Sequence, residues 1–399
     1  MELGSTVSAV RSQRVLLGDE IRPAVILIKD GKIHQILSDI SVDVPCEVST
    51  FVDGMVLDVA DSVVMPGIVD SHVHVNEPGR TSWEGFWTAT RAAAAGGVTT
   101  IVDMPLNSIP PITTLSNFRD KMQEATGKCF VDTAFWGGVI PGNQLELRPL
   151  MEAGVAGFKC FLIHSGVEEF PHVTDCDLHA AMQQLQGTGS VLLFHAERDV
   201  QQTAEEDGAS EADPGCAAGW SAPDRGDHTT NLSLCAENIP AGATQFKCCP
   251  PIRGSANQEQ LWSALKAGQI DMVVSDHSPC TPDLKKLERG DFTEAWGGIS
   301  SLQFGLPLFW SSASKRGFQL SDVVRLLSRN TAQLSRLDNQ KGSLAPGYDA
   351  DLVIWDPERE FEGVVCATLV RGQLVYREGC FCPEPLGKLL LIPPERSQK

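Results

Sequence analysis

Two styles of apolar patterning alternate along the chain. In residues 14–61 short branched runs, RVLLGD, AVILIKDGKIHQIL and VLDVADSVVM, read as strands. Asp30-Gly31, between VILIK and KIHQIL, is a two-residue hairpin turn that needs positive φ. The same style returns from Gly342, in ADLVIWDP, ATLVRGQLVYREG and FCPEP. Between these ends, apolar runs of strand length alternate with helix-period stretches, the signature of βαβ units and a parallel sheet. The runs predict strands over 68–75, 98–104, 131–135, 157–162, 191–195 and 272–275. Helices are expected over 83–95, 115–124, 180–186 and 258–267. The fold class is α/β, with a strand-and-helix body over 64–340. Residues 1–63 and 341–399 are expected to meet in one small composite β-sandwich.

Six strands fall short of the eight that close a (β/α)8 barrel. The missing two belong between His195 and Met272, and there the patterning fails. Residues 198–230 read RDVQQTAEEDGASEADPGCAAGWSAPDRGDHTT, with almost no branched apolar residues and several Gly and Pro. Such a segment cannot bury enough surface to offset its ordering entropy. The expectation is therefore a barrel lacking two strands, with 198–231 as a disordered insert.

Composition narrows the function classes. A length of 399 residues suits a barrel plus one smaller domain, and 42% hydrophobic residues supply an ample core. A formal charge of −19 argues against nucleic acid and anionic membrane surfaces as partners. Twelve cysteines at irregular spacing, without a CxxC pair, read as reduced thiols in a reducing compartment. No apolar run reaches 18 residues, so no membrane span is expected. The N-terminus lacks the Arg-rich, acid-poor character of a transit peptide, and the C-terminus, ERSQK, is not a Ser-Lys-Leu address. An intracellular, cytoplasmic location is the expectation, with mitochondrion and peroxisome left open.

The candidate chemistry centres on VVMPGIVDSHVHVNEPGR, residues 63–80. Strand alternation puts His72 and His74 on one face, one pleat apart, where two imidazoles can chelate one metal ion. They can equally be core histidines satisfied by backbone carbonyls. Lys159 sits in an apolar strand pattern, GFKCFL, although burying an unpaired lysine is costly and a snorkelling side chain is the simpler reading. His195 ends the run LLFHAE, and Asp276 ends the last strand in VVSDHSP. Catalytic residues of barrels emerge at such strand ends. His277, the next residue, points the other way along the pleat.

The stretches PGIVDSHVHVNEPGR, AAAAGGVTTIVDMPLN, GFKCFL, LLFHAE, FKCCPPIR, VVSDHSPCTPD and GSLAPGYDADLVIWDP resemble the cyclic amidohydrolases, and within them the allantoinase family. The resemblance runs in order along nearly the whole chain except residues 198–231. It implies an amidohydrolase-type barrel with a β-sandwich built from both termini, and zinc-dependent hydrolysis of a small cyclic ureide. In that pattern Lys159 is carried as a carbamate, made with CO2, that bridges two Zn2+ ions. His72, His74, Lys159 and Asp276 would hold the first ion, and Lys159 with His195 the second. Asp276 would accept the proton of the attacking water. The second ion's further histidine, at the end of strand six, has no readable counterpart here. His228, in DRGDHTT, is the only histidine of the anomalous segment and is expected not to reach. The alternative function is accordingly an impaired or non-enzymatic relative.

The remaining histidines, His34, His164, His172 and His179, read as surface or turn residues. Asn107 in MPLN, Ser300 near AWGGISS and the FKCCPPIR loop are candidates for holding substrate. Dihydroorotases place a carboxylate-gripping arginine two residues after the second histidine, where this chain has Asn76. Dihydropyrimidinases use a loop tyrosine, but Tyr348 and Tyr376 both fall in the C-terminal β region. A neutral ureide, allantoin, is the substrate this pattern favours. The resemblance also implies a homotetramer.

Overall fold

The computed structural model describes residues 2–38, 54–197, 226–359 and 363–394. Five strands open the chain: β1 (Val7–Leu17), β2 (Glu20–Lys29), β3 (Lys32–Leu37), β4 (Met55–Asp58) and β5 (Val63–Pro66). The β2–β3 hairpin turns at Asp30 and Gly31, with φ of 52° and 77°. Both values are the positive φ that such a turn requires.

The parallel strands follow: β6 (Ile68–Val73), β7 (Val98–Asp103), β8 (Asp132–Phe135), β9 (Gly137–Gly138), β10 (Gly157–Phe161), β11 (Val191–His195), β12 (Gly226–His228) and β13 (Met272–Val274). All their pairings are parallel: β6-β7-β8, β9-β10-β11 and β12-β13. Only Trp136 separates β8 from β9, so one stave pairs first with β7 and then with β10. A bridge between Val73 and His277, with His74 N donating to His277 O at 2.8 Å, ties the last strand back to the first. The wall thus runs β12, β13, β6, β7, β8/β9, β10, β11. Among the described residues nothing pairs β11 with β12.

The expected loss of two strands is corrected here: one of the two is present, as β12. It runs for three residues, too few to show a period, and its partner lies more than forty residues downstream. The segment 198–225, expected as a disordered insert, lies outside the described residues.

Helices Phe86–Ala95, Leu115–Ala125, Asp175–Leu185 and Ser255–Lys266 flank the strands where helix-period stretches predicted them. The third begins five residues before its predicted start. Thr174 caps it, accepting from Asp177 N while the Asp177 carboxylate accepts from Thr174 N, a capping box that the apolar periodicity does not show. Phe86, Phe118, Phe135 and Phe158 are fully buried between helices and strands, each contributing roughly 1.5–3 kcal/mol of apolar burial. Phe86 and Phe118 both meet Phe135 edge to face.

The chain closes with β14 (Leu352–Asp356), β15 (Val364–Val370), β16 (Gln373–Arg377) and β17 (Cys380–Phe381). Hydrogen bonding joins them to the N-terminal strands in a single nine-stranded sheet, β17-β16-β15-β14-β5-β1-β2-β3, with β4 on β1. The ladder is continuous across the two termini, because β5 pairs parallel with β1 and antiparallel with β14. Val10, Ile26, Val64, Leu352, Ile354 and Leu369 form a core of its own on this sheet.

Candidate metal centre

Two strand ends build the centre. Asp70, fully buried on β6, accepts from His72 N and from Ser275 N, both at 3.2 Å, which clamps β6 to the end of β13. His72 and His74 leave β6 on one face, as alternation requires, with ring centroids 5.5 Å apart. Asp276 follows β13 with φ of 48°, a left-handed residue that turns its carboxylate back over the strand ends. Its Oδ1 lies 3.2 Å from His72 Nε2 and 3.8 Å from His74 Nε2. The donor atoms of these three side chains all lie within 4.8 Å of one another. Two imidazole nitrogens and a carboxylate oxygen are the donor set that a zinc ion takes.

The electrostatics suit a cation. Burial, reinforced by the nearby Lys159 charge, pushes His74 down to about 3 and His72 well below its usual value. Both imidazoles are therefore neutral and able to ligate at physiological pH. Burial also raises the Asp276 carboxyl, against the opposing pull of His228, Lys159 and His195. Lys159 is 5% exposed on β10, and burial lowers its ammonium to about 8, with Asp276 partly opposing the shift. The snorkelling alternative is thereby excluded. A lysine so depressed is partly free amine near neutrality, the form that adds CO2.

His195 ends β11, stacked on Phe161 at 4.7 Å, and its Nε2 lies 2.8 Å from Glu197 Oε2. Burial lowers its pKa, with Glu197 opposing. His277 points the other way, as expected. Its Nδ1 accepts from Ser301 N and Leu302 N at 3.2 and 3.3 Å, and its Nε2 lies 3.1 Å from Glu84.

His228 departs from expectation. It was expected not to reach the centre, yet its Nδ1 lies 3.2 Å from Asp276 Oδ2, and its ring stands 5.2 Å from that of His72. The polar composition around it hid a short strand that pairs with β13 in register, His228 opposite Val274. His228 thus stands beside the centre, although from the strand adjoining β13 and not from the strand-six place whose empty histidine position prompted the expectation of an impaired relative.

Of the substrate candidates, Asn107 is buried and its Nδ2 lies 3.2 Å from His74 Nδ1. An amide offers either its oxygen or its NH2 to such a contact. With the oxygen toward Nδ1–H, the ring's free nitrogen is Nε2, which faces Asp276. Ser300 is exposed, whereas its neighbour Ser301 is buried and donates to Ser275 O at 2.8 Å. Asn76 is 1% exposed; its Nδ2 donates to Pro279 O at 3.2 Å and its buried Oδ1 has no partner among the described residues. Tyr376 lies on β16, and the Tyr348 hydroxyl donates to Asp338 O, both away from the strand ends. Sequence reasoning missed Asp70, Glu197 and the fully buried Lys121–Asp103 pair (2.6 Å), which carries Val75 N on Asp103 Oδ1. Glu197 alone left a trace, two residues after a strand-end histidine.

The model of the amidohydrolase family matches residues 63–375. The chain is 53% identical over 378 residues to "Allantoinase, mitochondrial" of Aquarana catesbeiana, covering 84% of this chain and 77% of that protein. It is 42% identical to the allantoinase of Streptomyces avermitilis, over 96% of this chain and 98% of that one. That alignment spans 446 positions, more than the 399 residues here, so the relative carries stretches without counterpart. Among solved structures, the L-hydantoinase (dihydropyrimidinase) of Arthrobacter aurescens superimposes with a TM-score of 0.85 at 26% identity, over 97% of this chain and 100% of that one.

Proposed function

We propose, from the premise that this chain belongs to the amidohydrolase family and to its allantoinases, that it opens the hydantoin ring of allantoin to give allantoate. That it is a hydrolase acting on cyclic amides follows from the family itself. The observation that carries the reading is Asp276 Oδ1 facing the neutral Nε2 atoms of His72 and His74, beside the buried, depressed Lys159.

His72, His74, Asp276 and Lys159, the last as its carbamate, would hold a first zinc ion, and Lys159 with His195 would contribute to a second. Such ions would supply an acidified water and polarise the ring carbonyl. Asp276 is the group that would accept a proton from the attacking water and return it to the departing ring nitrogen. Asn107 fixes the ring of His74 through Nδ1 and thereby the direction of Nε2. The unpaired acceptor of Asn76 would receive an N–H of the ureide, and exposed Ser300 would add a hydroxyl.

No helix of the described residues is long and apolar enough to cross a membrane. The cysteine usage favours an intracellular protein, in the cytoplasm or, as the name of the frog relative has it, the mitochondrion. A homotetramer is the expected assembly. The test is direct: the whole chain, purified with zinc and bicarbonate, is assayed for allantoate formation beside its zinc content. Metal-loaded, folded protein without turnover of allantoin overturns the reading.

A further inference from the structure

The family pattern draws the second ion's last histidine from strand six, two staves before the strand that carries Asp276. In this chain β12 is hydrogen-bonded directly to β13, with Gly226, Asp227 and His228 opposite Met272, Val273 and Val274. No stave stands between them. His228 therefore comes from the place of strand seven, immediately beside Asp276.

We propose that His228 is a metal ligand of this centre, delivered from the stave adjoining Asp276 in place of a ligand from the stave before it. The Asp276 carboxylate divides its two oxygens between two sides, Oδ1 toward His72 and His74 and Oδ2 toward His228 Nδ1 at 3.2 Å. The His228 ring stands nearly perpendicular to that of His72, at 82°, so its nitrogen edge and theirs converge on one carboxylate from different directions. The site is pre-organised rather than a polar loop. Thr229 Oγ1 donates to Val274 O at 3.1 Å directly after His228. Leu232 is buried, and its carbonyl accepts from Trp262 Nε1 at 3.0 Å. Gln258 Nε2 holds Leu234 O at 2.9 Å. The residues following His228 are thus anchored to β13 and to the helix Ser255–Lys266. A strand and a packed helical turn hold the imidazole, which is what a ligand needs to bind without an ordering cost.

The competing role is a hydrogen bond from His228 that merely orients Asp276. The two roles part on substitution. Asparagine at this position can donate one hydrogen bond to Oδ2 but is a poor ligand for zinc.

The inference rests on the metal-dependent reading of the centre, and its experiment reads metal rather than turnover. The full-length protein is stripped with chelator and titrated with Zn2+ and Co2+ against a chromophoric competitor, in the presence of bicarbonate. His228→Ala and His228→Asn should both weaken one metal equivalent tenfold or more and change the Co2+ visible spectrum. His164→Ala, at an exposed histidine, should change neither. Imidazole should partly restore the second equivalent to His228→Ala. Wild-type affinity and spectrum in His228→Asn would overturn the proposal in favour of the orienting role, as would an unaffected His228→Ala. Should both variants fold poorly, Co2+-loaded wild-type protein decides. Four paramagnetically shifted imidazole N–H resonances, from His72, His74, His195 and His228, support the ligand, and three overturn it. If metal binding depends on His228 but allantoin is not hydrolysed, the substrate reading fails and this inference stands.

Discussion

Lys341 Nζ lies 2.6 Å from Asp132 Oδ2, joining a barrel strand to the segment that enters the terminal sheet 209 residues later. Both side chains are fully buried. The same ammonium reaches Asp351 at 2.7 Å and Asp349 at 2.8 Å, and Arg371 closes on the other oxygen of Asp132. Burial opposes the Asp132 charge, but Lys341 and Arg371 outweigh it and hold its pKa below the usual range. Three carboxylates meet here around one ammonium, which supplies the positive charge at their centre.

Lys341→Met should accordingly destabilise the protein severely. It strands three buried carboxylates on one remaining guanidinium, and removing one partner of a buried ion pair costs about 3–5 kcal/mol. A urea midpoint close to wild type would show that the carboxylates rearrange freely. The metal centre lies at the other ends of the strands, so residual folded protein should still bind zinc.

Asn107→Leu should weaken zinc binding by about 10–100-fold, the usual effect of losing a partner that orients a ligating histidine. Asn107→Asp, which presents only oxygens to an Nδ1–H, should retain most of the affinity. Chelator competition at fixed bicarbonate measures both. Equal affinity for Asn107→Leu and wild type would return Asn107 to a substrate-only role.

The pH dependence of carbamate formation follows from Lys159. Burial lowers its pKa to about 8 from an ordinary 10.5, so folding disfavours the ammonium. The destabilisation is fully present below about pH 8 and is relieved as pH rises toward 10.5. Free amine grows over the same rise. At constant dissolved CO2, the 13C carbamate signal of metal-free protein should increase between pH 7 and 9, and should be absent in Lys159→Ala. A signal that is flat in pH, or that persists in Lys159→Ala, would place the carbamate elsewhere.

Much of the centre was legible because it obeys the two-residue period. That period alone puts His72 beside His74 and turns His277 away from Asp276. The strand of His228 escaped, since three residues show no period and their order comes from β13 and the helix Ser255–Lys266. The continuous terminal sheet escaped for a related reason: β5 joins strands from opposite ends of the chain, a pairing no local pattern encodes. Lys121 falls in a predicted helix and Asp103 in a predicted strand, and neither pattern pairs them. Only packing makes them a fully buried pair beneath Val75.

Substrate choice should follow from Asn76. Its φ of 68° and its bond to Pro279 O fix the side chain between the histidine strand and the loop after Asp276. It offers a buried oxygen acceptor there and no positive charge. A substrate N–H satisfies that acceptor, whereas a carboxylate meets it oxygen to oxygen, and leaving buried polar groups unpaired costs about 1–3 kcal/mol. Discrimination of roughly 10–100-fold in kcat/KM for allantoin over dihydroorotate is the expected result, measured side by side on one zinc-loaded preparation. Asn76→Asp keeps the acceptor but adds charge, and should depress dihydroorotate further while sparing allantoin. Asn76→Leu removes the acceptor, so allantoin should lose its advantage while zinc content stays unchanged. Dihydroorotate turned over faster than allantoin by the wild-type chain would mean that Asn76 does not face the ring.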